Sequence, residues 1–331
     1  MKDNVELCSP CPPVVLIGFK RPDTLRLVFE KVRMARPKRL FLVLDAPREG
    51  RQDDVEGWEK SKQIFEEVDW DCEVSRNYAE TNMGCRDRIV SGLSWVFNQV
   101  DRAVILEDDC VPDITFFRFC AELLEKYKDD TRVGMIAGHD EHFHVNCLES
   151  HGDSYYFDRF ASIWGWATWS RVWRLHDPSM KYWAEFRKRF YLMDGVFRNT
   201  RAQRNRMSYT DRLYSHEAGS WDGVWVTTMY KENMLCIHPF VNLVSNYGCD
   251  SSSRVDTPTK RMFYRPSPWD RRSTTPMRFP LKHPITLLPN IISERYRYLD
   301  SGDICPFYRR LWLMFRHSCM CVVRKCLARG A

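Results

Sequence analysis

Three consecutive carboxylates, Glu107, Asp108 and Asp109, follow an apolar run in the stretch AVILEDDCVPD at 103–113. Ionised carboxylates this close raise one another's pKa values, and each of them needs water or a partner. A positive group is therefore expected beside the triplet, where the buried run ends. The plain alternative is a solvated acidic turn.

Short apolar runs and helix-length segments alternate through the first half of the chain. The predicted strands lie at 14–19, 39–44, 72–76, 103–107 and 132–138. Strands that are apolar on both faces and are separated by amphipathic helices are typical of a mostly parallel sheet. The sequence therefore predicts an α/β fold in which helices flank such a sheet.

The composition is that of an ordinary globular protein, with 28% charged and 44% hydrophobic residues. A formal net charge of +6 is modest for 331 residues, so nucleic acid is not expected as a partner. No window contains the roughly 18 apolar residues of a spanning helix, and the first residues lack a secretion signal. We expect a cytoplasmic protein whose thirteen cysteines are free thiols.

Charged residues follow four of the predicted strands: Arg21 follows the first, Asp45 the second, Arg76 the third and the acidic triplet the fourth. Ligands of open α/β sheets bind at the carboxyl ends of the strands, so these side chains are expected on one rim. Carboxylates beside arginines suit a divalent cation bridged to a diphosphate. Alternatively, the charges merely mark where buried strands end.

The strand ending in EDD, with the following CVPDITFF, resembles the DxD-type motif of GT-A nucleotide-sugar glycosyltransferases. Further stretches resemble this superfamily in the same order: GFKRPDTL at 18–25, NMGCRDRIVSGLSWVF at 82–97, IWGWATWSRVW at 163–173, SWDGVW at 220–225 and VNLVSNYG at 241–248. Together they resemble a family of bacterial and viral sugar transferases that is distantly similar to Golgi N-acetylglucosaminyltransferase I. The resemblance covers about residues 12 to 300 and says little about which sugar is transferred.

The resemblance implies a UDP-sugar donor and a bound Mn²⁺ or Mg²⁺, which stabilises the leaving diphosphate as a Lewis acid. It places the metal on Asp109, with Asp108 and Glu107 reaching the ribose and the donor sugar. The remaining candidate nucleotide contacts are Asp45 at the uridine, and Arg21 and Arg86 at the base or phosphates. Arg76, predicted on the same rim, is a further candidate for contact with the nucleotide.

The resemblance also assigns a general base, Asp222, which would take the proton from the acceptor hydroxyl in an inverting transfer. The alternative is that Asp222 is only the N-cap of a helix. Its neighbour Trp221 is expected either to form an apolar floor for a sugar ring or to be an ordinary core residue.

Four tryptophans are concentrated in IWGWATWSRVW. Trp164 and Trp166 are predicted to contact the ligand, because aromatic faces stack on sugars and Gly165 permits a close approach. Trp169 and Trp173, at i and i+4 of a predicted helix, are expected to fill the core.

One segment departs from the family pattern. Relatives commonly carry Thr-His-Thr after an NxG-like turn, whereas this chain reads SNYGCDSSSRVDTPTK and has no histidine there. Asp256 is a plausible oxygen ligand in its place, within a loop that would close over the donor. The alternatives are weaker metal binding and an ordinary surface loop.

The tail from residue 305 would place basic and apolar residues on opposite halves if it is helical. Peripheral contact with an anionic membrane and packing against the catalytic domain both stay open. The predicted organisation is an extension at 1–12, a GT-A domain at 13–300 and this tail at 301–331. Within the domain, the nucleotide-binding half is about 13–138 and the acceptor half about 139–300.

The predicted function is metal-dependent, inverting transfer from a nucleotide-sugar donor to a hydroxyl of a glycan or glycolipid acceptor. The basic segment 181–212 fits an anionic acceptor. A sugar-nucleotide pyrophosphorylase is the first alternative, but it needs a glycine-rich triphosphate loop that GFKRPDTL lacks. A non-catalytic carbohydrate-binding relative is the second, and the altered SSSRVDT segment supports it.

Overall fold

The computed structural model describes residues 11–139, 150–189, 200–217, 219–248 and 272–293. The strands are β1 (Val14–Gly18), β2 (Arg39–Leu44), β3 (Glu73–Tyr78), β4 (Arg102–Glu107), β5 (Cys110–Pro112), β6 (Val133–Ala137), β7 (Tyr155–Asp158), β8 (Trp166–Trp169), β9 (Leu235–Pro239) and β10 (Val244–Asn246). The helices are α1 (Pro22–Ala35), α2 (Gln52–Phe65), α3 (Gly84–Phe97), α4 (Thr115–Lys126), α5 (Ser170–Trp173), α6 (Trp183–Arg189), α7 (Thr200–Tyr214) and α8 (Trp221–Lys231).

Eight strands form one sheet in the order β3-β2-β1-β4-β8-β6-β9-β7. Six of them run in one direction, and β8 and β7 run against it. The predicted α/β fold with a mostly parallel, helix-flanked sheet is therefore confirmed. Strands from both predicted halves of the domain share this sheet.

Burial explains why these segments form the sheet. Every residue of β1 and β6 is buried, as expected for strands covered on both faces. Helix α1 begins with Pro22, whose missing N–H costs nothing in a first turn. It turns Leu25, Val28 and Phe29 towards the sheet. The strand ends that carry the charged residues are thereby fixed by a large apolar core.

Two element predictions need correction. Strand β3 continues to Tyr78, so Arg76 lies inside an edge strand and not after it. Trp169 ends β8 and Trp173 ends the short helix α5, so the two do not share a helix. Both are nevertheless buried, as predicted.

No helix of the described residues is long and apolar enough to cross a membrane. The N-terminal extension up to residue 10 and the tail at 301–331 lie outside the described residues.

Candidate functional site

The acidic triplet lies at the carboxyl end of β4, directly beside the end of β1. The parallel register pairs Ile17 with Glu107, so the loops that follow the two strands leave the sheet together. Arg21 Nη2 lies 2.5 Å from Asp108 Oδ1, and Arg21 Nη1 lies 2.8 Å from Asp109 Oδ2. Arg21 is therefore the positive group that the triplet was expected to need.

The backbone holds both aspartates in place. Phe19 N donates a 3.2 Å hydrogen bond to Asp108 Oδ2. Tyr247 N donates to the Asp109 carbonyl at 2.8 Å, because β5 and β10 pair across the end of the sheet. A Cβ on Gly248 would lie 1.9 Å from Asp109 Oδ2, so only glycine lets the chain pass this close to the carboxylate.

This cluster contains more negative charge than Arg21 offsets. Desolvation, and then the charges of Asp109 and Asp108, raise the pKa of Glu107 to about 8. Desolvation also raises the pKa of Asp108 to about 6, although Arg21 opposes this shift. Ionising all three carboxylates is therefore unfavourable without further positive charge.

The carboxylate oxygens of the acidic triplet fit one kind of metal site. Within the described residues, no three or more His, Cys, Asp or Glu side chains converge as a ready-made metal cage. Magnesium at phosphate sites uses one or two carboxylates and completes its shell with water and substrate phosphates. Carboxylate oxygens from Asp108 and Asp109 suit Mg²⁺ or Mn²⁺ held jointly with a diphosphate, and do not suit a closed structural site.

A second network anchors the loop that carries Arg21. The preceding Lys20 places Nζ 2.5 Å from Asp54 Oδ1, and Arg48 Nε lies 2.5 Å from Asp54 Oδ2. The Asp54 side chain is fully buried on α2. A Cβ on Gly57 would lie 2.5 Å from the Lys20 carbonyl oxygen, so α2 and the loop are in close contact. This network fixes the backbone from which Arg21 reaches the triplet.

Asp222 lies in the first turn of α8 and is not its N-cap. Ser220 is the N-cap residue, and its Oγ accepts a 3.3 Å hydrogen bond from Gly223 N. Desolvation raises the pKa of Asp222. The charge of Asp222 in turn contributes to the raised pKa of Glu107, which places the two carboxylates in one electrostatic environment.

Other predicted nucleotide contacts have partners within the protein. Asp45 accepts hydrogen bonds from Met83 N at 2.9 Å and Gly84 N at 3.0 Å, and so holds the start of α3. Arg76 Nη2 lies 2.9 Å from Glu66 Oε2. Arg76 is thus used in an exposed ion pair on the edge strand, and the prediction that it follows its strand onto the rim is wrong.

The tryptophans also differ from the prediction. Trp166 is 0% exposed, and its ring stacks on Trp221 at a centroid distance of 5.9 Å. Trp221 is itself buried, which favours the core alternative for this residue. Because Trp166 has no exposed surface, the prediction that it contacts the sugar is wrong. Trp164 is half-buried and packs edge-on against His139 at 4.9 Å.

Sequence reasoning missed two neighbours of the site. Gly248 was part of a recognised stretch, but its contact with Asp109 depends on strand pairing that no local pattern encodes. Cys85 lies in the first turn of α3. Its pKa is raised to about 12 by desolvation and then by the charges of Glu107 and Asp222. The predicted ligand Asp256 lies outside the described residues.

No family model and no curated protein matches the chain. Solved structures with similarity include a UDP-glucose pyrophosphorylase complexed with UDP-glucose, at 9% identity and a TM-score of 0.29, covering 50% of this chain and 78% of that chain. An apo UDP-glucose pyrophosphorylase shows 9% identity and a TM-score of 0.28, covering 49% and 79%. Similarity at this level carries no argument about activity, so the functional proposal rests on the site.

Proposed function

We propose that the protein is a metal-dependent glycosyltransferase that moves a sugar from a UDP-sugar to a hydroxyl of a glycan or glycolipid. The observation that carries the proposal is the position of Glu107, Asp108 and Asp109 at the end of β4, beside the end of β1 and its Arg21. The contribution of the Asp222 charge to the raised pKa of Glu107 supports its assignment to the same site. A diphosphate donor needs positive charge, and a hydroxyl acceptor needs a base.

On the donor side, Asp109 and Asp108 would hold Mn²⁺ or Mg²⁺ together with the diphosphate of the nucleotide. The bound metal would act as a Lewis acid on the departing diphosphate. Arg21 pairs with both aspartates in this structure, and its guanidinium would exchange them for phosphate oxygens when the cation binds the carboxylates. The backbone that carries Arg21 is held because Lys20 is anchored to Asp54. The orientation of the donor is thus assigned to the loop after β1.

On the acceptor side, Asp222 would accept the proton of the attacking hydroxyl. The acceptor oxygen forms a bond to the anomeric carbon while the bond from that carbon to the diphosphate oxygen breaks, and its electron pair leaves with UDP. Desolvation makes Asp222 a stronger base than an exposed aspartate. The inverting outcome follows if this attack is a single displacement.

The pyrophosphorylase alternative shares the sheet but differs in the phosphate loop. After Gly18, which ends β1, the chain continues as FKRP and enters α1 directly. A triphosphate cradle requires several consecutive backbone N–H groups in a glycine-rich turn. The short loop therefore favours a diphosphate donor.

The test compares Asp222→Asn with Ser220→Ala, the N-cap of the same helix. Donor binding should stay within about twofold in Asp222→Asn, whereas transfer should fall by about 10²- to 10⁴-fold. Ser220→Ala should cost about 1 kcal/mol of stability and leave transfer nearly unchanged. The proposal fails if Asp222→Asn retains full transfer, or if Ser220→Ala lowers transfer as strongly.

A further inference from the structure

The aliphatic loop, residues 285–292, exposes four large apolar side chains. Ile285 is 100% exposed, Leu288 68%, Ile291 51% and Ile292 36%. Four of the eight exposed large hydrophobic residues in the described part of the chain therefore lie in this loop. Single exposed apolar side chains are common in soluble proteins, whereas a cluster of them marks a surface that contacts something apolar.

The start of the aliphatic loop is anchored to the edge strand β7. Lys282 N donates a 2.9 Å hydrogen bond to Ser154 Oγ, and Ser154 N donates a 2.8 Å hydrogen bond to the Lys282 carbonyl. Leu281 is buried, and Leu287 in the middle of the loop packs against the hydrophobic core. Side chains on both sides of Ile285 thus hold the backbone while Ile285 itself stays in water.

The end of the loop is fixed in the same way. Asn290 N donates a 2.7 Å hydrogen bond to the Phe157 carbonyl within β7. Asn290 Oδ1 in turn accepts from Ile292 N at 3.0 Å and from Ser293 N at 3.2 Å. Ser293 is buried, and its hydroxyl donates a hydrogen bond to Asp158 Oδ2. Because these bonds order the loop, its exposed side chains cannot turn inwards without breaking them.

The size of this surface argues against a protein partner. Four aliphatic side chains offer at most about 500 Å² of apolar surface. Each partner of a stable protein interface buries about 800 Å². The loop sequence ITLLPNII also lacks the aromatic and arginine residues that dominate such interfaces. A lipid surface needs no partner of complementary shape, so a small aliphatic cluster is sufficient to contact it.

The charge around the loop suits anionic lipid. The described segment 272–293 contains three basic residues and no Asp or Glu. Two of the three, Arg278 and Lys282, are exposed. Further along the chain, residues 305–331 contain six Lys or Arg and again no acidic residue, although they lie outside the described residues. Basic residues next to exposed aliphatic ones are typical of surfaces that bind anionic membranes.

We propose that the aliphatic loop is a membrane-contact surface, which inserts Ile285 and Leu288 into the interface of a bilayer that contains anionic lipids. Arg278 and Lys282 would stay at the level of the lipid phosphates. The inference goes beyond the proposed function and does not depend on it. Contact of this kind would bring the protein to a glycolipid acceptor, one of the two acceptor classes of that function.

Co-sedimentation of the full chain with vesicles tests the proposal. Vesicles of phosphatidylcholine alone are compared with vesicles that contain about one third phosphatidylglycerol, at the same ionic strength. We expect binding to the anionic vesicles and binding at least about fivefold weaker to the neutral ones. Neither nucleotide nor metal is added, so a failure of the proposed function leaves this result unaffected.

Two double variants locate the contact. Ile285→Ser with Leu288→Ser removes the two most exposed side chains of the loop and should weaken vesicle binding by about tenfold or more. Leu27→Ser with Met34→Ser is the matched control, because these two residues of α1 are 44% and 59% exposed. It should change vesicle binding by less than about twofold. Both variants keep residues 294–331, and thermal unfolding checks that both are folded.

Three results of the vesicle experiment would overturn the inference. The full chain does not bind anionic vesicles, or it binds neutral vesicles equally well, or the loop variant binds as the wild-type protein does. The last result would assign the binding to another part of the chain. An equal loss in both double variants would also contradict it, since that indicates unspecific adsorption of apolar side chains.

Sedimentation velocity without lipid tests the competing occupant, a second copy of the chain. The wild-type protein and the loop variant should sediment as the same species. A self-associated form that the loop variant alone lacks would assign the aliphatic loop to an interface between copies and overturn the membrane contact.

Discussion

Lys20 and Arg21 are adjacent in the chain, yet they enter acid clusters of opposite electrostatic character. Lys20 reaches Asp54, which also binds Arg48. Arg21 reaches Asp108 and Asp109. One loop thus connects a cluster in which cations balance the acids to a cluster in which acids are in excess.

The pKa shifts express this difference. Hydrogen bonds from Arg48, and then from Lys20, hold the pKa of Asp54 well below its usual range although burial opposes them. Desolvation and neighbouring carboxylates raise the pKa of Glu107 to about 8. A balanced cluster holds structure, whereas mutually raised carboxylate pKa values are typical of functional sites, and a bound cation of the kind we propose would offset the excess acid.

The largest expected effect is on the balanced cluster. Asp54→Asn leaves Lys20 and Arg48 without their buried partner and should lower the free energy of unfolding by about 3 kcal/mol. Asp53→Asn removes an exposed partner of Lys20 and should cost no more than about 0.5 kcal/mol. Urea denaturation of both variants measures the difference, and equal losses would contradict the structural role of Asp54.

Gly248→Ala tests the close contact over Asp109. Because the added Cβ would collide with the carboxylate, UDP binding in Mn²⁺ should weaken by about tenfold to a hundredfold. Gly219→Ala is the matched control, since no atom lies within 4 Å of the position of its Cβ. Calorimetric titration compares the two, and undiminished UDP binding in Gly248→Ala would show that this contact does not shape the site.

Glu107→Gln should change the free energy of unfolding in the opposite direction to Asp54→Asn. With EDTA present at pH 7, it should raise the free energy of unfolding by about 1–2 kcal/mol, because the native state no longer keeps a proton that the unfolded state releases. The gain should grow as pH rises from about 4 to 8 and vanish below about 4, the ordinary range of glutamate. Urea titrations at several pH values measure it, and a net loss at pH 7 would contradict the idea of excess negative charge.

The smallest expected effect concerns His176, which stacks on Trp173 at 4.7 Å. Burial lowers the pKa of His176 to about 4, so its contribution to stability is complete above about pH 6.5 and is lost as pH falls towards 4. Between pH 7 and 5 the protein should lose about 1 kcal/mol that His176→Phe does not lose. Parallel acid titrations of unfolding check this, and identical pH profiles would refute it.

The sequence predicted the meeting of Arg21 and the acidic triplet well, because strand periodicity and parallel pairing put the ends of β1 and β4 together. The acidic triplet demanded a cation, and Arg21 follows the adjacent strand. The sequence could not show whether Trp166 contacts a ligand or fills the core, since an aromatic residue next to glycine suits both a sugar-binding surface and a buried strand.

The remaining differences concern boundaries and long-range contacts. Ser220 and not Asp222 is the N-cap, a distinction that depends on where α8 begins. Strand β3 runs two residues past Arg76, which turns a predicted rim residue into an edge residue. Gly248 meets Asp109 only because β10 pairs with β5, more than a hundred residues earlier in the chain.

The central claim is that the acidic triplet binds a divalent cation together with a nucleoside diphosphate. Titration calorimetry of UDP with Mn²⁺, and again with EDTA, tests it in the wild-type protein, Asp109→Asn and Asp53→Asn. The account predicts Mn²⁺-dependent binding of UDP that Asp109→Asn weakens by about a hundredfold or more. Asp53→Asn, which changes an exposed acid, should bind UDP as the wild-type protein does. Equal binding of UDP in EDTA, or full binding by folded Asp109→Asn, would contradict it.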